Sequence, residues 1–97
     1  MKVRWSDQAD GDRASIVGYI WLDNPAAAAR IDNLLDAAAD RLADFPYSGR
    51  QGDIPGTREL IPHPSYRIVY EVAGGEVVIL AVVHTARQWP PAEDGTS

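Results

Sequence analysis

The sequence predicts an α+β domain in which a helical hairpin packs on one face of a small, largely antiparallel four-stranded sheet, in the order β-α-α-β-β-β. Two β-branched-rich runs flank the Gly-Gly pair at 74–75, which is the pattern of a β-hairpin. Two helical segments meet at residues 23–25, where Asp-Asn-Pro ends one helix and begins the next. Ninety-seven residues suffice for one core, so we expect a single domain over 1–91 and a mobile polar tail over 92–97.

The elements before the hairpin follow from capping residues and periodicity. A short alternating strand is predicted over Lys2–Trp5, and Ser6 is a favourable N-cap for a first helix over 7–22. A second helix is predicted over 25–43, antiparallel to the first because the link is short. Its apolar residues recur at steps of three and four, which predicts a buried face of Ile31, Leu35, Ala38 and Leu42. After a loop, a strand over 57–61 should end before the prolines at 62 and 64.

The two faces of the hairpin depend on its register. With a loop of two or four residues, Val72 pairs with Val77, Tyr70 with Ile79 and Ile68 with Ala81. Side chains alternate along a strand, so one face should pack on the core: Tyr66, Ile68, Tyr70, Val72, Val77, Ile79, Ala81 and Val83. The other face then carries Arg67, Val69, Glu71, Val78, Leu80, Val82 and His84. A three-residue loop would scramble this assignment.

Composition excludes several classes of protein. The formal net charge is −5 with a single lysine, which opposes non-specific binding to nucleic acid. Residues 47–92 hold four arginines and four acids, so any anion-binding surface there must be built from arginine. The chain has no cysteine, which excludes disulfide and thiolate chemistry and makes a cytoplasmic location the simpler expectation. Its first ten residues lack the apolar core of a signal peptide, and no run of eighteen apolar residues occurs.

Four short patterns follow one another in the second half of the chain. They are Pro-x-x-Gly-Arg at 46–50, Gly-Thr-Arg-Glu-Leu at 56–60, Tyr-Arg-Ile-Val-Tyr at 66–70 and His-x-x-Arg at 84–87. Together they resemble the RelE/ParE superfamily of toxins from bacterial type II toxin–antitoxin pairs, over about residues 3–90. The second pattern and the His-x-x-Arg-x-Trp-Pro ending are more similar to the ParE-type branch. The resemblance implies a cytoplasmic growth-inhibiting toxin that is neutralised by a cognate antitoxin and needs neither a cofactor nor a metal.

The resemblance implies two alternative targets. ParE-type toxins poison DNA gyrase, whereas RelE-type toxins cut mRNA in the ribosomal A site with side chains of the exposed sheet face. An acidic chain with one lysine favours a protein target over ribosomal RNA, so we expect gyrase inhibition. The alternative is a metal-independent mRNA endoribonuclease. A third possibility is an adaptor domain that has kept the fold and lost toxicity.

The nuclease alternative would use Arg67, His84 and Arg87. Cleavage by a 2′-hydroxyl requires proton transfer and cations on the phosphate, and histidine titrates nearest to neutral pH. In the predicted register Arg67 and His84 share a face, and Arg87 lies just past the strand. Glu59 could serve as a base only if its strand presents it to that face, which the sequence leaves open.

Further candidates concern binding rather than chemistry. The candidate binding residues are Arg50, Arg58, Glu59 and Trp89. Ion pairing of the two arginines with Asp53 and Glu59 is the structural alternative, as is packing of Trp89 at the sheet edge. The face of Val69, Val78, Leu80 and Val82 is too apolar for a free surface, so we expect an antitoxin segment that folds on contact to cover it. The rival is cover by the chain's own residues 88–97.

Overall fold

The computed structural model describes residues 1–91, and the predicted polar tail over 92–97 lies outside them. Its elements are, in chain order, β1 (Lys2–Trp5), α1 (Asp7–Trp21), α2 (Pro25–Asp44), β2 (Arg50–Gln51), β3 (Thr57–His63), β4 (Tyr66–Ala73) and β5 (Glu76–His84). The predicted helix and strand positions are therefore confirmed to within a residue or two. Neither helix is long and apolar enough to cross a membrane.

The strands form one sheet in the order β1-β5-β4-β3-β2. β1 runs parallel to β5, and the other neighbours are antiparallel. The α+β class is confirmed, but the sheet has five strands rather than the predicted four because the edge strand β2 lies in a segment expected to be a loop. β3 also continues through Pro62 to His63, two residues beyond the predicted end. The β3–β4 register becomes irregular between Leu60 and His63, where proline supplies no N–H donor.

Both helices begin at the predicted caps. The Ser6 side chain accepts a hydrogen bond from the Ala9 N–H at 3.1 Å, and Asn24 accepts one from Ala27 at 3.1 Å. Each cap satisfies an N–H group that the first turn of a helix leaves without a partner. The helical hairpin therefore starts and turns where the local sequence dictates.

The helices pack on one face of the sheet. All four residues predicted for the buried face of α2 are buried, and Leu35 and Leu42 are among the largest fully buried side chains. From α1, Ala9 is fully buried, and Ile16 and Ile20 pack against the same cluster. The sheet contributes Ile68, Tyr70, Val77, Ile79 and Val82. Burial of these side chains is the main term that holds the layers together.

Between the helices, Arg13 forms a charged link. Its guanidinium donates to the carboxylates of Asp32 at 2.7 Å and Asp36 at 2.8 Å and lies 4.9 Å from the Trp5 ring centroid. Burial acts to lower the pKa of Arg13, but hydrogen bonds to the two carboxylates outweigh it and raise the pKa overall. Arg13 therefore stays charged and joins α1 to two carboxylates of α2.

A β-bulge divides the hairpin into two registers. The pairs Val72–Val77 and Tyr70–Ile79 are confirmed, as is the tight turn, where both glycines have positive φ. The predicted Ile68–Ala81 pair is wrong, because Tyr70 pairs with Ile79 while its neighbour Val69 pairs with Ala81. Leu80 is therefore an extra residue in β5. Beyond it every side chain changes face: Val82 joins the core, and Ala81 and Val83 turn away from the helices.

Candidate functional site

The outer face of the sheet, which lies opposite the helices, carries a buried ion pair. Glu59 sits opposite Val69, so its side chain shares a face with Arg67 on β4. The Nη1 group of Arg67 donates to Oε2 of Glu59 at 3.0 Å, and the two side chains are only 9% and 5% exposed. Arg50 donates to Oε1 of the same carboxylate at 3.0 and 3.2 Å from the solvent side. Two guanidinium groups therefore share one carboxylate.

The remaining donors of Arg67 are also enclosed. Its Nη2 group donates to the backbone carbonyl of Arg87 at 2.7 Å, which ties the segment after β5 to the sheet. Its Nε atom is buried and has no hydrogen-bond partner among the described residues. A guanidinium in this position anchors the C-terminal segment. It is not presented to a phosphate from solvent.

His84 lies on the opposite, helix-facing side. It pairs with Tyr66, and the two rings meet edge to face with centroids 5.8 Å apart. Its Nδ1 atom accepts a hydrogen bond from the Ala86 N–H at 3.1 Å. The side chain is exposed and lines a groove of about 870 Å³ with Asp12, Tyr19 and Trp89, among others.

The groove lies where β5 extends beyond the end of its neighbour β1. β1 ends at Trp5, opposite Ile79, and α1 then covers the unpaired edge of β5. The Ser6 hydroxyl donates to the Leu80 carbonyl at 3.1 Å, and the Asp12 carboxylate accepts from the Val82 N–H at 3.0 Å. The side chains of the N-cap Ser6 and of Asp12 in α1 thus replace a neighbouring strand at the bulge.

The predicted nuclease residues do not converge. The prediction that Arg67 and His84 share a face is wrong, because Leu80 shifts the alternation by one residue before His84. The side chain of Arg87 is exposed and lines the groove with His84. Glu59 does lie on the face of Arg67, as its candidate role required, but it is buried and bonded to two arginines.

The four candidate binding residues make different contacts. The ion pair of Arg50 with Glu59 is confirmed, whereas Arg58 forms no ion pair within residues 1–91. Arg58 donates instead to the backbone carbonyls of Tyr47 at 3.2 Å and Gly49 at 2.9 Å. Trp89 is half-buried and lines the groove with His84, whereas the other three do not line it.

The apolar floor predicted for antitoxin docking is not a free surface. Val69 is fully buried and Val78 is 7% exposed, although both face away from the helices. Val82 belongs to the core because of the bulge, and only Leu80 is half-exposed. The prediction of a free apolar floor on which the antitoxin would dock is therefore wrong.

Sequence reasoning missed the residues that shape the loop before β3. The buried Tyr70 hydroxyl accepts a hydrogen bond from the Gly49 N–H at 2.9 Å. A Cβ atom at Gly49 would lie 2.6 Å from that hydroxyl and from the Glu59 carbonyl oxygen, so the position admits only glycine without rearrangement. The Pro-x-x-Gly-Arg pattern signalled a special loop, but its partner on β4 is visible only in the fold.

Comparison with known proteins places this architecture in a class of bacterial toxins. Residues 3–89 match the family described as "ParE toxin of type II toxin-antitoxin system, parDE". A Sinorhizobium fredii protein named as toxin Y4kP is 41% identical over 90 residues, which are 92% of this chain and 93% of that protein. Toxin RelE2 of Caulobacter vibrioides is 41% identical over 86 residues, covering 89% of this chain and 97% of the relative.

A solved structure shares the fold. The structure entitled "Chromosomal ParDE TA system from P. aeruginosa" superposes with a TM-score of 0.76 at 22% identity, over 87% of this chain and 95% of that one. The chain belongs to the ParE toxin family and is a type II toxin–antitoxin toxin of the ParE/RelE superfamily. A toxin of this kind implies a cognate antitoxin as its partner.

Proposed function

We propose that this toxin arrests growth by binding and inhibiting DNA gyrase, without catalysing a reaction itself, and that a cognate antitoxin neutralises it in the cytoplasm. The family match and the ParE-like patterns of the sequence support this proposal. The net charge of −5 supports it further, since a toxin that docks among ribosomal phosphates would gain from a basic surface.

The observation that carries the proposal is the separation of Arg67 from His84. Metal-free RNA cleavage needs a proton-transfer group and cations around one phosphate. Here the guanidinium of Arg67 is buried against Glu59 on one face of the sheet, and His84 lies on the other. Because the two side chains leave the sheet on opposite faces, they do not converge on one phosphate.

The second candidate function is a ribosome-dependent mRNA endoribonuclease. It is favoured by the names of two relatives, the Caulobacter vibrioides toxins RelE2 and RelE1, which are 41% and 39% identical to this chain. In this function His84 and the side chain of Arg87, which line one groove, would have to act without Arg67. Such a site would hold one histidine and one arginine.

The two functions are separated by assaying them side by side. Purified toxin is added to gyrase in a plasmid supercoiling assay and, separately, to translating ribosomes with a defined message. Gyrase inhibition requires loss of supercoiling with the message intact. Message cleavage that depends on ribosomes, with supercoiling unaffected, would put the nuclease first. Addition of the co-expressed antitoxin should reverse whichever activity is present.

A further inference from the structure

The loop between α2 and β3 presents an aromatic surface that the fold does not use for its own core. The Phe45 and Tyr47 side chains are 64% and 62% exposed, and Ile54 is 40% exposed. Tyr47, Ile54 and Arg58 line one shallow recess. We call Phe45, Tyr47, Ile54 and Arg58 the loop platform.

The platform is held rigidly although it is exposed. The Ser48 N–H donates to the Phe45 carbonyl at 3.1 Å, and the buried Tyr70 hydroxyl holds the Gly49 N–H. Nη1 of Arg58 donates to the carbonyls of both Tyr47 and Gly49, while the guanidinium carbon of Arg58 lies 5.2 Å from the Tyr47 ring centroid. Binding a partner here would cost little conformational entropy, because the chain is already ordered.

The guanidinium of Arg58 is anchored in a way that leaves one edge open. Both of its hydrogen bonds within residues 1–91 use Nη1. The Nε and Nη2 groups make none there, and they form the side-on fork that matches a carboxylate in bidentate geometry. Since Arg58 also forms no ion pair within these residues, its charge is uncompensated beside an apolar ring.

We propose that the loop platform is the surface by which this toxin grips its target protein. Arg58 takes a carboxylate of the target, and apolar side chains of the target pack against Phe45 and enter the recess beside Tyr47 and Ile54. Aromatic and arginine side chains dominate the binding energy of protein interfaces. The inference deepens the proposed function and rests on it for the identity of the target, which would then be gyrase.

A protein partner fits this surface better than a nucleic acid. A ring beside an arginine could also stack on a base, but single-stranded nucleic acid needs a row of cations along its backbone. The chain is acidic overall, and the neighbouring Arg50 is already bonded to Glu59. The Nε and Nη2 edge of Arg58, which makes no hydrogen bond within residues 1–91, suits one carboxylate.

The test compares Tyr47→Ala with Leu22→Ala, which removes an 84% exposed side chain at the end of α1. A third variant, Tyr47→Phe, keeps the ring. We expect Tyr47→Ala to lower the potency of growth arrest and of gyrase inhibition by about 10- to 100-fold, in the range of an interface hot spot. Tyr47→Phe and Leu22→Ala should act as wild type, and all three should melt like the wild type and still bind the antitoxin.

Charge is tested with Arg58→Gln, which removes the fork but leaves an amide that can donate to a loop carbonyl. We expect it to lose potency as Tyr47→Ala does. Full toxicity of a folded Tyr47→Ala protein would overturn the inference. So would wild-type binding to a single-stranded oligonucleotide that Tyr47→Ala abolishes, because the platform would then be a nucleic-acid surface.

The outcome also separates this inference from the proposed function. If the wild type does not inhibit gyrase, the proposed function fails. The platform is still supported in that case if Tyr47→Ala relieves growth arrest and Leu22→Ala does not. Tyr47→Ala must also bind a single-stranded oligonucleotide no differently from the wild type. If gyrase is inhibited equally by all variants, the platform fails alone.

Discussion

Arg67 and His84 lie on opposite faces of one sheet, on neighbouring strands and one step apart in register. Arg67 pairs with Val83 and His84 with Tyr66. The β-bulge at Leu80 produces this arrangement, since regular alternation through Leu80 would turn His84 towards the face of Arg67. The relationship decides which chemistry the hairpin can support.

The first prediction concerns His84→Ala. Because His84 faces away from Arg67 and is exposed, we expect the variant to fold normally and to retain growth arrest. A proton-transfer residue would instead cost roughly 10²–10⁴ in rate. The measurement is growth of a sensitive host after induction, with a thermal melt of the purified variant. A folded His84→Ala protein that no longer arrests growth would put the nuclease reading first.

The second prediction concerns the buried pair of Glu59 and Arg67. Glu59→Gln leaves the buried guanidinium of Arg67 without its charge partner, so we expect a loss of about 3–5 kcal/mol in the free energy of unfolding. Glu71 is half-buried and forms no ion pair within residues 1–91. Glu71→Gln should therefore change the free energy of unfolding by only about 0.5 kcal/mol.

A double variant tests whether the stability lost in Glu59→Gln comes from the unpaired charge of Arg67. Glu59→Gln with Arg67→Met removes both charges, and we expect it to recover part of the stability lost in Glu59→Gln alone. Urea titration of the three proteins provides the measurement. Equal stability of Glu59→Gln and the wild type would show that the pair is not buried as described.

The third prediction concerns the buried face of α2. Leu35 is 1% exposed in the core, and Leu35→Ala should cost about 2–5 kcal/mol because it leaves a cavity. The neighbouring Leu34 is 38% exposed, and Leu34→Ala should cost less than about 1 kcal/mol. A denaturant titration measures both. A loss below about 1 kcal/mol for Leu35→Ala would contradict the packing of this helix.

The fourth prediction contrasts two glycines. Gly49→Ala places a methyl group against the Tyr70 hydroxyl and the Glu59 carbonyl, so we expect a loss of about 1–3 kcal/mol. Gly11 lies within α1, where nothing lies within 4 Å of an added Cβ. Gly11→Ala should therefore raise the free energy of unfolding by up to about 1 kcal/mol. In thermal melts we expect Gly49→Ala to lower the melting temperature and Gly11→Ala to raise it.

Local sequence determined the helices, the tight turn and the class of fold. The caps Ser6 and Asn24 and the Gly-Gly turn at 74–75 work through their immediate neighbours, so each could be predicted from short patterns. The burial of α2 followed from its periodicity for the same reason. The order of the short patterns between 46 and 87 was sufficient to indicate the toxin family.

Tertiary structure alone decided which side chains meet. The bulge at Leu80 is stabilised by Ser6 and Asp12, more than sixty residues away in the chain, and nothing in the run of β-branched residues around it signals an extra residue. Glu59 and Arg50 come together only because a two-residue edge strand pairs with β3. Strand register is a long-range property, and a shift of one residue moves every later side chain to the other face. The elements of this protein were therefore predictable from local patterns, while the separation of Arg67 from His84 depended on contacts between distant parts of the chain.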